Sequence, residues 1–330
     1  MFLLLSVLVV LYFIVTHFFE KLEIRDLNNK AIFITGCDSG FGHGLALKCL
    51  SRGITVFAGC LTEIGGEDLR KEAKNLSGKL EIIQVDVSSD ESVAKAKLVL
   101  EDKTKPYGGL HGVVNNAGIV GTAFVDDLLT VDDYKKTADV NVWGIIRVTH
   151  ALKELVKKTK GRIVVVTSIC ARVAIPANGP YTVSKYAASG YCDTIRKELA
   201  PWGVKVCVLE PGFFKTALTD PNRVSRIIDF VWKRASPELR EAHGVEFLKE
   251  SQAMVHKFLD SIGSERVNLV VDAYFHALTA VYPRPRYQVG NDSKFLWGPL
   301  SLLPSRLQDL LFQLQHITLG HPVPAALKKN

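Results

Sequence analysis

Tyr181 and Lys185 stand four residues apart in the run Tyr181-Thr182-Val183-Ser184-Lys185. In a helix that spacing puts a phenol and an ammonium on one face, within reach of a common ligand. A free phenol titrates near pH 10, so it is a poor base at neutrality. Lowering that value by about three units requires roughly 4 kcal/mol, which a unit charge about 4 Å away supplies at an effective dielectric of about 20. Lys185 is therefore expected to activate Tyr181, with a cationic ligand adding to the effect. Ser168 closes a β-branched run 13 residues earlier, where its hydroxyl can hold the reacting oxygen while Tyr181 moves the proton. The chemistry this trio suits is proton exchange at an alcohol or carbonyl oxygen.

A second constellation opens the chain's first apolar run: Thr35-Gly36-Cys37-Asp38-Ser39-Gly40-Phe41-Gly42. Gly36, Gly40 and Gly42 let backbone N–H groups approach a pyrophosphate, Ser39 and Phe41 complete the turn, and the following helix N-terminus favours the anion. Asp38 is placed to meet the adenosine ribose, accepting from a free 2′-hydroxyl and repelling a 2′-phosphate. Cys60-Leu61-Thr62-Glu63, at the end of the second run, adds no basic side chain. NAD is expected over NADP, the competing reading being that Asp38 only caps the helix. Asp86-Val87 and Asn115-Asn116-Ala117-Gly118 end two further runs, where a dinucleotide would cross a sheet. Their asparagines can also bridge neighbouring strands.

These residues need a scaffold that brings strand ends together. Short apolar runs at Ala31–Thr35, Ile54–Gly59, Leu80–Val85, Leu110–Val114, Arg162–Thr167 and Val204–Leu209 alternate with amphipathic stretches, including one across Val131–Lys158 and one from Pro180 to Ala200. That rhythm predicts an α/β fold: a Rossmann-like, doubly wound parallel sheet with helices on both faces. The alternation is expected to stop after Pro211-Gly212. Residues 213–262, with Phe213, Phe214, Ile227, Phe230, Trp232, Phe247 and Phe258, read as an apolar insertion covering the carboxyl ends of the strands, a substrate lid.

The glycine-rich turn, NNAG, the Ser168/Tyr181/Lys185 set and Pro211-Gly212 together resemble the short-chain dehydrogenase/reductase family, over about residues 30–290. TGCDSGFG, LTEIGGEDL, GVKVCVLEPGFFKTAL and the apolar N-terminus resemble its retinol dehydrogenase and 17β-hydroxysteroid dehydrogenase branch. The resemblance implies Tyr181 as catalytic base, Lys185 binding the nicotinamide ribose, Ser168 orienting substrate and Asn141 supporting a water relay to Lys185. It further implies Thr216 beside the carboxamide, Asp86 and Val87 beside the adenine, and a dimer. Ala177-Asn178-Gly179-Pro180 departs from the branch's Gly-rich approach to the tyrosine, which bears on substrate preference.

The first 19 residues, MFLLLSVLVVLYFIVTHFF, carry no formally charged side chain. At about 1.5 Å per residue they cover about 28 Å, close to the roughly 30 Å hydrocarbon core, and no basic n-region or small-x-small cleavage site marks a signal peptide. A single N-terminal transmembrane anchor (residues 1–19) is expected, then a polar linker (20–29), the nucleotide-binding domain (30–290) and a C-terminal apolar segment (291–330) that either packs on the core or contacts a membrane. Lys21, Arg25 and Lys30 after the span favour a cytosolic domain on the endoplasmic reticulum. The net charge of +7 is scattered, with no run resembling a nucleic-acid site. Six singly placed cysteines show neither zinc spacing nor a C-x-x-C pair, so no metal is expected and the thiols read as reduced core residues.

The function expected is hydride transfer between a nicotinamide cofactor and a lipophilic alcohol or carbonyl delivered from the bilayer. An oxidoreductase of a small polar hydroxy acid or sugar would need Arg223, Arg226, Lys233 or Arg234 to grip it, and an inactive nucleotide-binding scaffold would not need both Tyr181 and Lys185.

Overall fold

The computed structural model describes residues 11, 15, 16 and 18–328. Seven parallel strands form one sheet: β1 (Ala31–Thr35), β2 (Thr55–Cys60), β3 (Leu80–Gln84), β4 (Gly112–Asn115), β5 (Arg162–Val166), β6 (Lys205–Pro211) and β7 (Arg286–Val289). Their order is β3-β2-β1-β4-β5-β6-β7, so the chain winds outward from β1 in one direction and then, through β4, in the other. The crossover helices are α1 (Gly40–Ser51), α2 (Glu63–Glu72), α3 (Asp90–Lys103), α4 (Val131–Ala138), α5 (Ile145–Lys158) and α6 (Gly179–Leu199). Helices α7 (Pro221–Arg234), α8 (Pro237–His243) and α9 (Val245–Ile262) form the insertion, and α10 (Asn268–Thr279) leads into β7. A C-terminal helix, α11 (Ser305–Leu319), follows.

Every residue of β1, β2 and β5 is buried, as strands covered on both faces must be. Side-chain alternation divides them between two cores. Phe33, Val113, Ile163 and Val165 pack with Val93, Leu100, Leu152 and Cys192 on one face. Ile32, Ile34, Val114 and Val164 pack with Leu45, Cys49, Val270 and Tyr274 on the other. All six cysteines are buried free thiols, which is why burial pushes Cys60 and Cys192 up to about 12.

Two departures from the sequence reading have physical reasons. The alternation does not stop at Pro211, because β7 pairs in register with β6 beyond the insertion. Arg-Tyr-Gln-Val alternates intermediate and buried residues, the pattern of an edge strand and not of a buried apolar run. The single helix expected across residues 131–158 is interrupted by a π-helical turn at Asp139–Gly144, a distortion that occurs disproportionately at functional sites.

The insertion rests on the segment after β4: Val224, Ile228 and Val231 of α7 and Phe247 and Leu248 of α9 pack with Phe124 and Leu128. Arg234 closes that contact from α7, donating to both oxygens of Asp133 on α4 at 2.9 and 2.6 Å. In the C-terminal segment Trp297 and Leu300 are buried whereas Phe295 and Leu302 are about four-fifths exposed, so it both packs on the domain and presents apolar surface. Among the described residues no helix is long and apolar enough to cross a membrane; the anchor expected over residues 1–19 lies largely outside those described.

The expected linker, residues 20–29, is fastened down. Glu23 bridges Ala280 in antiparallel fashion, Ile24 N–H donates to Thr279 O and Val281 N–H to Leu22 O, each at 2.7 Å. Arg52 pairs with Glu23 at 2.7 Å, Arg284 with Glu20, and the His276 ring lies 2.8 Å from Glu20 O.

Candidate active site

At the carboxyl end of β1 the chain turns through Gly36 (φ 70°) into α1, whose N-cap is Ser39. Gly42 lies so close to its surroundings that a Cβ there would fall 2.4 Å from both Asn116 Nδ2 and Gly36 O. The backbone is thus drawn against the end of β4, leaving the α1 N-terminus open above it. Asn116, not singled out from the sequence as a site residue, locks the turn: its Nδ2 donates to Thr35 O at 2.9 Å and Gly36 O at 3.0 Å. Its Oδ1 accepts from the buried Tyr274 hydroxyl at 3.1 Å, and Thr35 Oγ1 accepts from Asn116 and Ala117 N–H.

Asp38 does not cap its own helix. Its carboxylate accepts from Leu61 N–H at 2.9 Å, and from Thr62 N–H and Thr62 Oγ1 at 2.8 Å each, which fixes it at the end of β2. Asp86 holds the turn after β3 by accepting from Ser88 N–H and Oγ. Val87 is buried, its carbonyl taken by Arg147. Asn115 is 2% exposed with its amide on Thr149 Oγ1 at 3.1 Å; its side chain is committed to α5, and only its main chain faces the strand ends. Pro211 ends β6, and Gly212 N–H donates to Val289 O. Asp292 then receives Phe213 N–H at 2.8 Å. Thr216 sits in a tight turn, its N–H on Thr219 Oγ1 at 3.1 Å.

The trio converges. Ser168, at the end of β5, is 8% exposed; its Oγ accepts from Cys170 N–H at 3.1 Å, and its hydroxyl acts on the Tyr181 phenol electrostatically. Lys185 is 3% exposed, donates to Val166 O at 3.2 Å and lies 5.3 Å from the centroid of the Tyr181 ring. Asn141, on the π-helical turn and fully buried, is clamped: Oδ1 accepts from Ile119 N–H at 2.9 Å while Nδ2 donates to Ile119 O at 2.8 Å and Ser184 Oγ at 3.0 Å. Ser184 Oγ in turn donates to Tyr181 O at 2.7 Å. A Cβ on Gly118 would come 3.2 Å from Asn141 Oδ1 and 3.6 Å from Lys185 Nζ, so Gly118 keeps the space between those two groups open. The glycine turn, strand-end polar residues and trio all lie along the carboxyl edge of the sheet.

The electrostatics differ from the sequence expectation. Burial raises the Tyr181 phenol, and among its neighbours Ser168 alone draws it back. Burial also lowers Lys185 to about 8. The ammonium is turned toward Val166 O and lies over the ring, so desolvation outweighs the four-ångström charge pair assumed from spacing alone. Tyr181 packs in an apolar cluster with Val173, Trp297, Ile175, Phe213, Phe258 and Ile262.

Signals for the residues missed were faint. Thr35 and Ser184 lie inside the quoted motifs, but small hydroxyls there are common. Asp133 sits in Thr130-Val-Asp-Asp133, a capping-box pattern that the structure forms, which gave no hint of its pairing with Arg234.

Comparison with known proteins agrees with this arrangement. Residues 30–226 match the short chain dehydrogenase family. The chain is 40% identical over 325 residues to 17-beta-hydroxysteroid dehydrogenase type 6 of Bos taurus, covering 98% of this chain and 99% of that protein. It is 40% identical over 311 residues to Retinol dehydrogenase 16 of Homo sapiens, covering 94% and 96%. Among solved structures, a short chain dehydrogenase/reductase from Burkholderia phymatum in complex with NAD superposes with a TM-score of 0.66 at 20% identity, over 91% of this chain and 98% of that one. A short chain dehydrogenase from Burkholderia cenocepacia in complex with NADP does so at 0.61 and 23%, over 89% and 98%. These two share the fold.

Proposed function

This chain belongs to the short-chain dehydrogenase family, and from that premise we propose that it interconverts a lipophilic alcohol and its carbonyl with NAD, using Tyr181, Lys185, Ser168 and Asn141. The observation that carries the reading is the convergence of Ser168, Tyr181 and Lys185 at the carboxyl edge of the sheet, with Tyr181 packed among Phe213, Phe258, Ile262 and Trp297. Relatives whose names specify a retinol and a hydroxysteroid fit such apolar surroundings.

The residues present fit a dinucleotide. The tight approach at Gly42 and the open α1 N-terminus suit a pyrophosphate, and Asp38, fixed at the end of β2, suits a ribose diol and opposes a 2′-phosphate. Gly36, Gly40, Asp86, Val87, Ala117, Gly118, Thr216 and the main chain of Asn115 line the remaining path. Hydride transfer is the chemistry a bound nicotinamide supplies. The chain supplies the rest: Ser168 Oγ orients the substrate oxygen, and Tyr181 takes or gives the hydroxyl proton. Lys185 binds the nicotinamide ribose and supplies positive charge against the phenolate. Asn141 keeps Ile119 and Ser184 in place, which fixes the start of α6 and hence Tyr181. The apolar cluster excludes water from the carbinol.

Helices α7–α9 act as the substrate lid, and the N-terminal apolar stretch anchors the enzyme in the endoplasmic reticulum with the catalytic domain facing the cytosol. Asn75-Leu-Ser77, an N-glycosylation acceptor where it meets the lumen, reports the topology, since Asn75 and Ser77 are exposed. The other acceptor, Asn291-Asp-Ser293, is a poorer reporter, because the Ser293 hydroxyl is buried on Glu210 O. A cytosolic face leaves Asn75 unmodified in a secretory-pathway host.

The decisive test is turnover of the purified full chain with NAD or NADP against retinols, hydroxysteroids and short hydroxy acids, beside Tyr181→Phe. The reading expects NADH with the lipophilic alcohols, and at least a thousandfold loss in the variant with NAD affinity retained. Undiminished turnover by the variant would overturn it.

A further inference from the structure

A cavity of about 500 Å3 opens between the segment after β4 and α7, lined by Gly121, Thr122, Arg223, Arg226, Ile227 and Phe230. Its wall is tied to the catalytic centre. Ile119 is held at both its N–H and C=O by Asn141, and Thr122 is three residues further on, hence at most about 10 Å away.

Four cations lie on α7 and, among the described residues, one of them forms an ion pair. Arg234 is committed to Asp133 through both guanidinium arms. Arg223 and Arg226 are exposed, three residues apart and so on one helix face. Arg223 Nη1 reaches only the Ala217 carbonyl, at 3.3 Å, and no hydrogen bond or ion pair of Arg226 is found among the described residues. The acids of the same helix and its cap are engaged elsewhere: Asp220 accepts Arg223 N–H and Asp229 accepts the Gln252 amide. Two guanidinium forks therefore border a cavity whose other side chains include Ile227 and Phe230, which offer apolar contact.

Building on the function proposed above, the geometry points to a substrate that is amphipathic: an apolar body whose carbinol reaches Ser168 and Tyr181, and an anionic end, carboxylate, sulfate or phosphate, received by Arg223 and Arg226. Planar guanidinium groups pair with such oxyanions in bidentate fashion. Hydroxylated long-chain acids and acidic steroid conjugates have that amphipathic form.

The test is calorimetric titration of the NAD-loaded full chain with a long-chain fatty carboxylate and with its methyl ester. The carboxylate should bind roughly tenfold more tightly, and the difference should shrink at about 0.5 M salt because the arginines are exposed. The double variant Arg223→Gln/Arg226→Gln should lose the difference while binding the ester and NAD as before, and Arg223→Lys/Arg226→Lys should keep part of it. Equal binding of acid and ester by the parent protein, or a preference that survives in the glutamine variant, overturns the inference. A second arm offers the ester in phosphatidylcholine vesicles with and without phosphatidylserine. Arginine dependence appearing only with the anionic vesicles would assign the site to a lipid headgroup and overturn the substrate assignment. Because titration needs no turnover, failure of hydride transfer with every alcohol would remove the proposed reaction and still leave this binding difference to be read.

Discussion

Replacing Lys185 with methionine should abolish turnover and, at neutral pH, stabilise the fold. The ammonium is 3% exposed, bonded to a single carbonyl, and lowered by burial from 10.5 to about 8. A gap of about 2.5 units, at about 1.36 kcal/mol each, means that holding the charged form in the fold costs about 3 kcal/mol at pH 7. Methionine fills similar volume without that penalty but leaves Val166 O without its donor, a loss of about 1 kcal/mol. The net gain is about 2 kcal/mol. The sign reverses the usual carboxylate case: between pH 8 and 10.5 the unfolded chain binds the proton more tightly than the fold, so the parent protein gains stability as pH rises through that window. The methionine variant lacks this dependence, and its advantage should shrink to near zero by about pH 10. Urea denaturation of both full chains at pH 7 and pH 10 measures it. A variant less stable at both values, or a gain indifferent to pH, would refute the reasoning; lost activity alone would not test it.

Asp38→Ala should raise KM for NAD about tenfold with little change in kcat, since it frees Leu61 and Thr62 N–H and removes the carboxylate expected to face the ribose; steady-state kinetics with NAD and NADP should also show the preference narrowing. Burial opposes the Asp133 charge, but Arg234, Thr130 and Thr122 outweigh it and hold the carboxyl well below the usual range. That contribution is present above the unfolded value near 4 and is lost only in stronger acid, so the α4–α7 clasp should be indifferent to pH from 5 to 9. Asp133→Asn should weaken it by about 2 kcal/mol, less than a fully buried pair because Arg234 is partly exposed, and speed hydrogen exchange in α7 roughly thirtyfold.

The sheet was largely legible because strands buried on both faces must be continuous apolar runs: β1 occupies the residues expected of it, and β2 through β6 fall within about two residues of expectation. What escaped was governed by packing and not by period. β7 is an edge strand with an ordinary polar alternation, and the π-helical turn at Asn141 looks helical in any window of sequence. At the site, residue types and order announced Ser168, Tyr181 and Lys185, but sequence spacing treated the ammonium as a bare charge four ångströms from the phenol. The fold buries both groups and aims Lys185 at Val166 O, so desolvation dominates. Asn115 and Asn116 look alike in sequence, yet strand alternation sends one amide into α5 and the other across to β1.

The fastening of residues 20–24 also sets a lever. Ten loose residues would let a domain wander some 17 Å about its attachment; here Leu22, Glu23 and Ile24 are stitched to Thr279, Ala280 and Val281, beside the amino-terminal ends of the strands. Ser168, Tyr181 and Lys185 stand at the opposite ends, a strand length or roughly 20 Å away. Sheet and residues 20–24 therefore form one strut, so that the carboxyl edge of the strands keeps a fixed orientation relative to this segment. Swapping residues 20–29 for a Gly-Ser tether would turn that fixed mount into a swivel, leaving the chemistry intact while randomising the direction from which substrate must arrive.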